Sequence, residues 1–233
     1  MAQSEDSIYH EGKALEQDGH ETSRQNLKSS MISADAIVKL HDELDELWHL
    51  DAKGAEWPKA LVGRDEWLEA VSRQHRANFD LWHIEDEARA PGATDAELAE
   101  VKRRVDSTNQ RRNDLAEELD RLLLAWLAER NLPNYDSPLN SESPGLMIDR
   151  LSILALKIWH TREETERAGA GAAHAECNRE RLAILTEQRA DLAHCLGRLW
   201  SETLAGTRRF KLYRQLKMYN DPSLNPAIYT RKQ

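Results

Sequence analysis

Residues 81–127 read LWHIEDEARAPGATDAELAEVKRRVDSTNQRRNDLAEELDRLLLAWL, and residues 158–204 read IWHTREETERAGAGAAHAECNRERLAILTEQRADLAHCLGRLWSETL. At an offset of 77 the two stretches share 15 of 47 positions. Trp82-His83 returns as Trp159-His160, and Gly92-Ala93 as Gly169-Ala170. Arg112, Asp114, Leu115, Ala116, Leu119, Arg121 and Leu122 return as Arg189, Asp191, Leu192, Ala193, Leu196, Arg198 and Leu199. Seventy-seven is eleven heptads, so two helices of heptad pattern would match at apolar positions by register alone. Register does not explain the matching Trp, His, Arg, Asp and turn glycine. Each stretch carries apolar residues at three- and four-residue spacing on both sides of its glycine, the pattern of an antiparallel helical hairpin. The expected fold is all-α: a helical bundle built from a duplicated hairpin with pseudo-two-fold symmetry, plus an N-terminal helix. Such a fold tends to put a site in the cleft between its halves, where equivalent residues face one another.

Outward from this core, Ser33 is placed to cap a helix over residues 34–50, in which Ile37, Leu40, Leu44, Leu47 and Trp48 line one side. Asp65 is expected to open the next helix, which runs to Arg89 before Ala90-Pro91-Gly92. Thr94 or Asp95 opens the third, and Ser143-Pro144 the fourth. A fifth spans about residues 173–204, and a shorter helical piece is expected from Phe210 to Met218. Three parts follow: a disordered acidic segment over residues 1–32, one helical-bundle domain over 33–206 with repeat units at about 65–130 and 142–206, and a basic aromatic segment over 207–233 that packs on the bundle.

The chain has 233 residues, 41 Asp+Glu against 32 Lys+Arg, and 40% hydrophobic side chains. Its longest apolar run, Leu122 to Ala128, is far short of the roughly twenty residues of a membrane span, and no secretory h-region stands near the start. Cys177 and Cys195 fall on one helix roughly 27 Å apart and cannot pair with each other there. A reducing, cytoplasmic location is the expectation. The chain lacks a Walker loop, a Gly-x-Gly-x-x-Gly turn, a Gly-x-Ser-x-Gly elbow and clustered cysteines, which speaks against kinases, Rossmann oxidoreductases and serine hydrolases of standard design.

Polar residues interrupt the apolar seams. On the second helix the stripe Leu68, Val71, His75, Asn78, Trp82, Glu85, Arg89 turns polar halfway, and the third helix sets Asn109, Arg112 and Asn113 between Val105 and Leu115. Burying such groups is costly unless they are paired. Two readings stand: a satisfied internal network, or a polar cleft in which Arg89 and Arg112 grip an anion and Asn78 and Asn113 read hydroxyls.

Four ordered motifs, Asn78-Phe-Asp-Leu-Trp-His-Ile-Glu-Asp-Glu-Ala-Arg89, Asn109-Gln-Arg-Arg-Asn113, Leu139 to Lys157, and Lys217 to Pro226, resemble an uncharacterised bacterial family catalogued as domain of unknown function 4254. The resemblance spans about residues 35–226. It implies a compact helical protein, often a companion of glycosyltransferases in cell-envelope polysaccharide clusters, and assigns no catalytic residue. Within these motifs Asn140, Asp149, Lys157 and Asn220 join the ligand-binding candidates.

Trp48-His49, Trp82-His83 and Trp159-His160 each lie near the C-terminal part of a helical segment. Adjacent residues on a helix point about 100° apart, so where tryptophan faces the core its histidine sits at the margin. His49, His83 and His160 meeting at one point would suit zinc or iron, with Asp86 or Glu163 completing the shell. The alternative is boundary histidines, or His83 acting as a base beside Glu85 or Asp86. Residues 207–233 carry seven Lys/Arg against Asp221 alone, interleaved with aromatics. They would dock on the acidic body, or hold a nucleotide through Arg208, Arg209, Lys211 and Tyr219. An acidic body disfavours extended nucleic acid.

The leading expectation is a protein that binds a phosphorylated sugar or sugar nucleotide between the hairpins in envelope glycoconjugate biosynthesis. The alternatives are a non-catalytic helical partner of a glycosyltransferase, a homodimer included, and a metal-dependent bundle enzyme using His49, His83 and His160. No cofactor is assigned by the sequence.

Overall fold

The computed structural model describes residues 32–50, 66–216 and 223–226. The chain divides into two compact units, Met1–Ser33 and Ala34–Gln233. Of the first only Ile32 and Ser33 are described, so the expected acidic segment lies almost wholly outside the described residues, as do Asp65, Met218, Tyr219 and Asn220.

The second unit is all-α. Its described helices are α1 (Ala34–Leu50), α2 (Glu66–Glu87), α3 (Asp95–Ala128), α4 (Pro144–Glu166) and α5 (Ala172–Leu204). α2 pairs with α3 and α4 with α5, while α1 lies against α2, α4 and α5. The turns of both hairpins use a left-handed glycine, Gly92 at φ 88° and Gly169 at φ 81°, 77 residues apart. A side chain would be strained at either position.

Local chemistry sets the helix ends. Thr94 caps α3 in a full capping box with Glu97, which satisfies two otherwise orphan N–H groups. Ser143 precedes Pro144 as expected but makes no side-chain cap bond. Its hydroxyl donates instead to Asp120 on α3, and Asp120 Oδ1 accepts the Gly145 N–H at 2.7 Å. Only glycine fits there, because a Cβ on Gly145 would sit 2.3 Å from the Ala116 carbonyl oxygen. A carboxylate from the neighbouring helix thus serves the first turn of α4. The core is apolar, with Ile37, Leu44, Leu119, Leu123, Leu127, Ile148, Leu151, Ile158 and Leu196 among its fully buried side chains.

The expected short helix after residue 204 is absent from the described residues. Residues 207–216 run irregularly, and Arg209 forms an isolated parallel bridge with Leu139. Gly206 at φ 70° ends α5, and Phe210, 1% exposed, anchors the segment. A buried aromatic outweighs helix propensity over so short a piece.

Candidate functional site

The polar seam closes on itself. Asp149 of α4 is its hub: Arg112 donates to the carboxylate through Nε and Nη2, both at 2.9 Å, Gln74 at 2.6 Å and Asn78 at 3.0 Å. Asn109 Oδ1 accepts from Arg112 at 3.4 Å, and Asn113 is half-buried on the next residue of α3. Of the two readings, the structure displays the internal network, with the guanidinium of Arg112 committed to Asp149. The Nε–Nη2 edge of Arg112 is the one that Asp149 occupies.

The other polar candidates scatter. Arg89 bonds back to the carbonyl of Glu85 and to the carboxylates of Glu85 and Asp86, all at the exposed end of α2. Asn140 donates its amide to the Glu142 carbonyl and its N–H to Arg209 O, which organises a loop. Lys157 is exposed and lines a groove between α4 and α5. Arg208 pairs with Glu202, Arg209 Nε donates to Ser137 O, and Lys211 lies over the Tyr213 ring. Apart from the backbone bond between Asn140 and Arg209, these groups do not converge.

Two clusters do converge. In the first, His75 Nδ1 lies 2.7 Å from Ser152 Oγ and His75 Nε2 stands 3.0 Å from Asp45 Oδ1, off the line of a hydrogen bond. Ser152 also accepts from Asn78 at 2.9 Å. The set has the residue types of a nucleophilic triad. All three side chains are buried to 1% exposure or less, so no substrate reaches the hydroxyl, and the set is a structural chain of polar contacts. His41 stacks on His75 at 4.4 Å, and neither of its nitrogens has a partner among the described residues. Burial first, then His75 and Arg189, push its pKa well below the ordinary value, so it stays neutral.

The second cluster unites the three Trp-His dipeptides. One ring nitrogen from each of His49, His83 and His160 lies within 4.8 Å of the other two. His49 Nδ1 donates to the Asp45 carbonyl at 2.7 Å, and His83 Nδ1 to the Phe79 carbonyl at 2.9 Å. His160 Nδ1 donates to Glu163 Oε2 at 2.9 Å. A carbonyl or carboxylate accepts, so each Nδ1 carries a proton, and in the neutral form of each ring the Nε2 lone pair is left for an ion. His49 Nε2 and His160 Nε2 are 3.4 Å apart. Burial foremost, with His160 and His83 nearby, lowers the pKa of His49 against the raising effect of its bond to Asp45, which favours the neutral ligating form.

Aromatic packing fixes the rings. Trp159 stacks on His49 at 4.7 Å and Trp82 on His160 at 4.7 Å, while Phe79 lies 4.3 Å from His83 and 4.9 Å from His49. Trp48 is buried and His49 half-buried one residue later, the division expected of neighbours on a helix. Trp159 and Glu163 also line a groove of about 700 Å³ between α1 and α4, together with Asp35, Asp42, Glu43, Glu46 and Glu166.

A family model described as "Protein of unknown function (DUF4254)" matches residues 68–212. His83 and His160 fall inside the matched region and His49 outside it. No curated protein and no solved structure matches the chain.

Proposed function

We propose, for a chain that belongs to this family of unknown function and takes no chemistry from its description, that it is a transition-metal protein whose ligands are His49, His83 and His160. The observation that carries the reading is the 3.4 Å separation of His49 Nε2 and His160 Nε2, with Nδ1 of both rings already committed. Zinc–nitrogen bonds of about 2.0–2.1 Å at a tetrahedral angle set ligand nitrogens roughly 3.3–3.4 Å apart. The two rings therefore span a distance equal to one edge of a zinc tetrahedron. His83 completes a face after a small rotation.

The surroundings agree. Ligating histidines characteristically give their second nitrogen to a carbonyl or carboxylate, which fixes the tautomer and raises ligand basicity, and all three rings here do so. Three neutral imidazoles suit zinc, with cobalt, nickel and copper as competitors ranked by intrinsic affinity. We place a metal-dependent role ahead of the sugar-phosphate cleft, since Arg112, one of the two arginines named for that cleft, already pairs with Asp149.

The test is calorimetric titration of chelator-treated protein with zinc. One ion per chain is expected, with binding lost in His83→Ala and in His160→Ala while the helical circular dichroism is retained. Equal zinc uptake by wild type and both variants would overturn the assignment.

A further inference from the structure

Resting on the metal reading, we infer that the ion held by His49, His83 and His160 activates water for the hydrolysis of carboxylic esters. Among the described residues no fourth His, Cys, Asp or Glu joins the group. Closed structural zinc sites use four protein ligands, whereas sites with three histidines keep the fourth position for water or substrate. Phe79, 9% exposed, packs against His49 and His83, and all three histidines are half-buried and so partly open to solvent.

The chemistry balances without a redox partner. Zinc lowers the pKa of its bound water to about 7, so near neutral pH that water gives a proton to solvent and becomes hydroxide. A hydroxide lone pair attacks the ester carbonyl carbon, and the carbonyl π pair moves to oxygen, where the ion stabilises it. That pair returns and the bond to the leaving alkoxide or phenolate breaks; the proton that came with the hydroxide passes from the carboxylic acid to the leaving oxygen or to solvent, and the carboxylate product is exchanged for a new water. Glu163, hydrogen-bonded to His160, and the carbonyls of Asp45 and Phe79 are positioning groups.

Charge and shape select the substrate. The adjoining groove carries Asp35, Asp42, Glu43, Glu46, Glu163 and Glu166 against Lys39 and Arg162, a field that repels a phosphate dianion. The half-exposed indoles of Trp82 and Trp159 border the rings, which favours an uncharged, apolar or aromatic acyl group.

The zinc-loaded full chain is assayed with 4-nitrophenyl acetate and 4-nitrophenyl phosphate from pH 6 to 9, with zinc content measured on the same samples. Acetate hydrolysis is expected to rise through a single ionisation near pH 7, to stop with chelator and to return with zinc. His83→Ala removes it, and Glu163→Gln, a change at an exposed side chain, lowers it about tenfold or more. One bound zinc per chain with acetate turnover no faster than zinc in buffer overturns the hydrolase inference and leaves the metal reading standing. Faster turnover of the phosphate overturns the ester assignment. Absence of bound zinc overturns the metal reading itself.

Discussion

His49 Nε2 and His160 Nε2, 111 residues apart in the chain, lie 3.4 Å from each other while Nδ1 of each ring donates elsewhere. A divalent ion held between them would take both lone pairs in competition with protons, so metal binding is expected to weaken as the solution is acidified. Zinc titrations at pH 5.5 and pH 7.5 measure the difference, and equal affinity at both would contradict it.

Arg112→Ala separates the buried network from the three-histidine cluster. Asp149 is 8% exposed and Arg112 25%, so removing the guanidinium leaves a carboxylate held by Gln74 and Asn78 alone. A loss of about 2–3 kcal/mol in unfolding free energy is expected, somewhat below the range for a fully buried pair. Zinc stoichiometry should be unchanged. Loss of zinc binding in a folded Arg112→Ala protein would show that the two networks are one site.

Asp120 gives an acid-range signature. Burial, opposed by the Ser143 hydroxyl and the Gly145 N–H, raises its pKa to about 6. The folded state holds this proton up to that pH, whereas an unfolded Asp releases it near 3.9. Between those values the fold binds more protons, so the contribution of Asp120 to stability declines as pH rises through the window, by about 3 kcal/mol. Asp120→Asn keeps an acceptor for Gly145 and a donor for Ser143 and should abolish the decline. Chemical denaturation of both proteins at pH 4 and pH 7 tests it.

His41 acts with the opposite sign. Its pKa is depressed in the fold by burial, so below about pH 6.5 the unfolded chain takes up a proton that the folded chain refuses, and stability falls with acidification. His41→Leu should remove this component and, by eliminating two buried nitrogens without partners, raise stability at pH 7 by about 1 kcal/mol. Unfolding curves at pH 5 and pH 7 compare the slopes.

The helices were legible because their cues are local. Thr94 with Glu97, Ser143-Pro144 and the Gly92 and Gly169 turns each lie within a few residues of the boundary they mark. The piece after Leu204 was misread because long-range contacts decide it, the burial of Phe210 and the bridge of Arg209 to Leu139 among them. The site was legible in composition and illegible in geometry. Each Trp-His dipeptide is visible in the sequence, yet the meeting of three margin histidines depends on how α1, α2 and α4 pack. The Asp149 hub was half visible: the sequence showed the polar seam of α2 and α3, and the partner that satisfies it stands on another helix. His75 and Ser152, hydrogen-bonded at 2.7 Å, are 77 residues apart, the same offset that relates Trp82-His83 to Trp159-His160. Searching equivalent positions for complementary polar groups would have found that pair.

The central claim is tested most directly by cobalt titration of metal-free protein, followed by visible absorption and tryptophan fluorescence. Trp159 and Trp82 stack on His49 and His160 at 4.7 Å, so a paramagnetic ion on those rings quenches both indoles. The account predicts tetrahedral cobalt bands and quenching that saturate together at one equivalent and are both absent in His83→Ala. Weak octahedral absorption with no quenching, or a response identical in the variant, would contradict it.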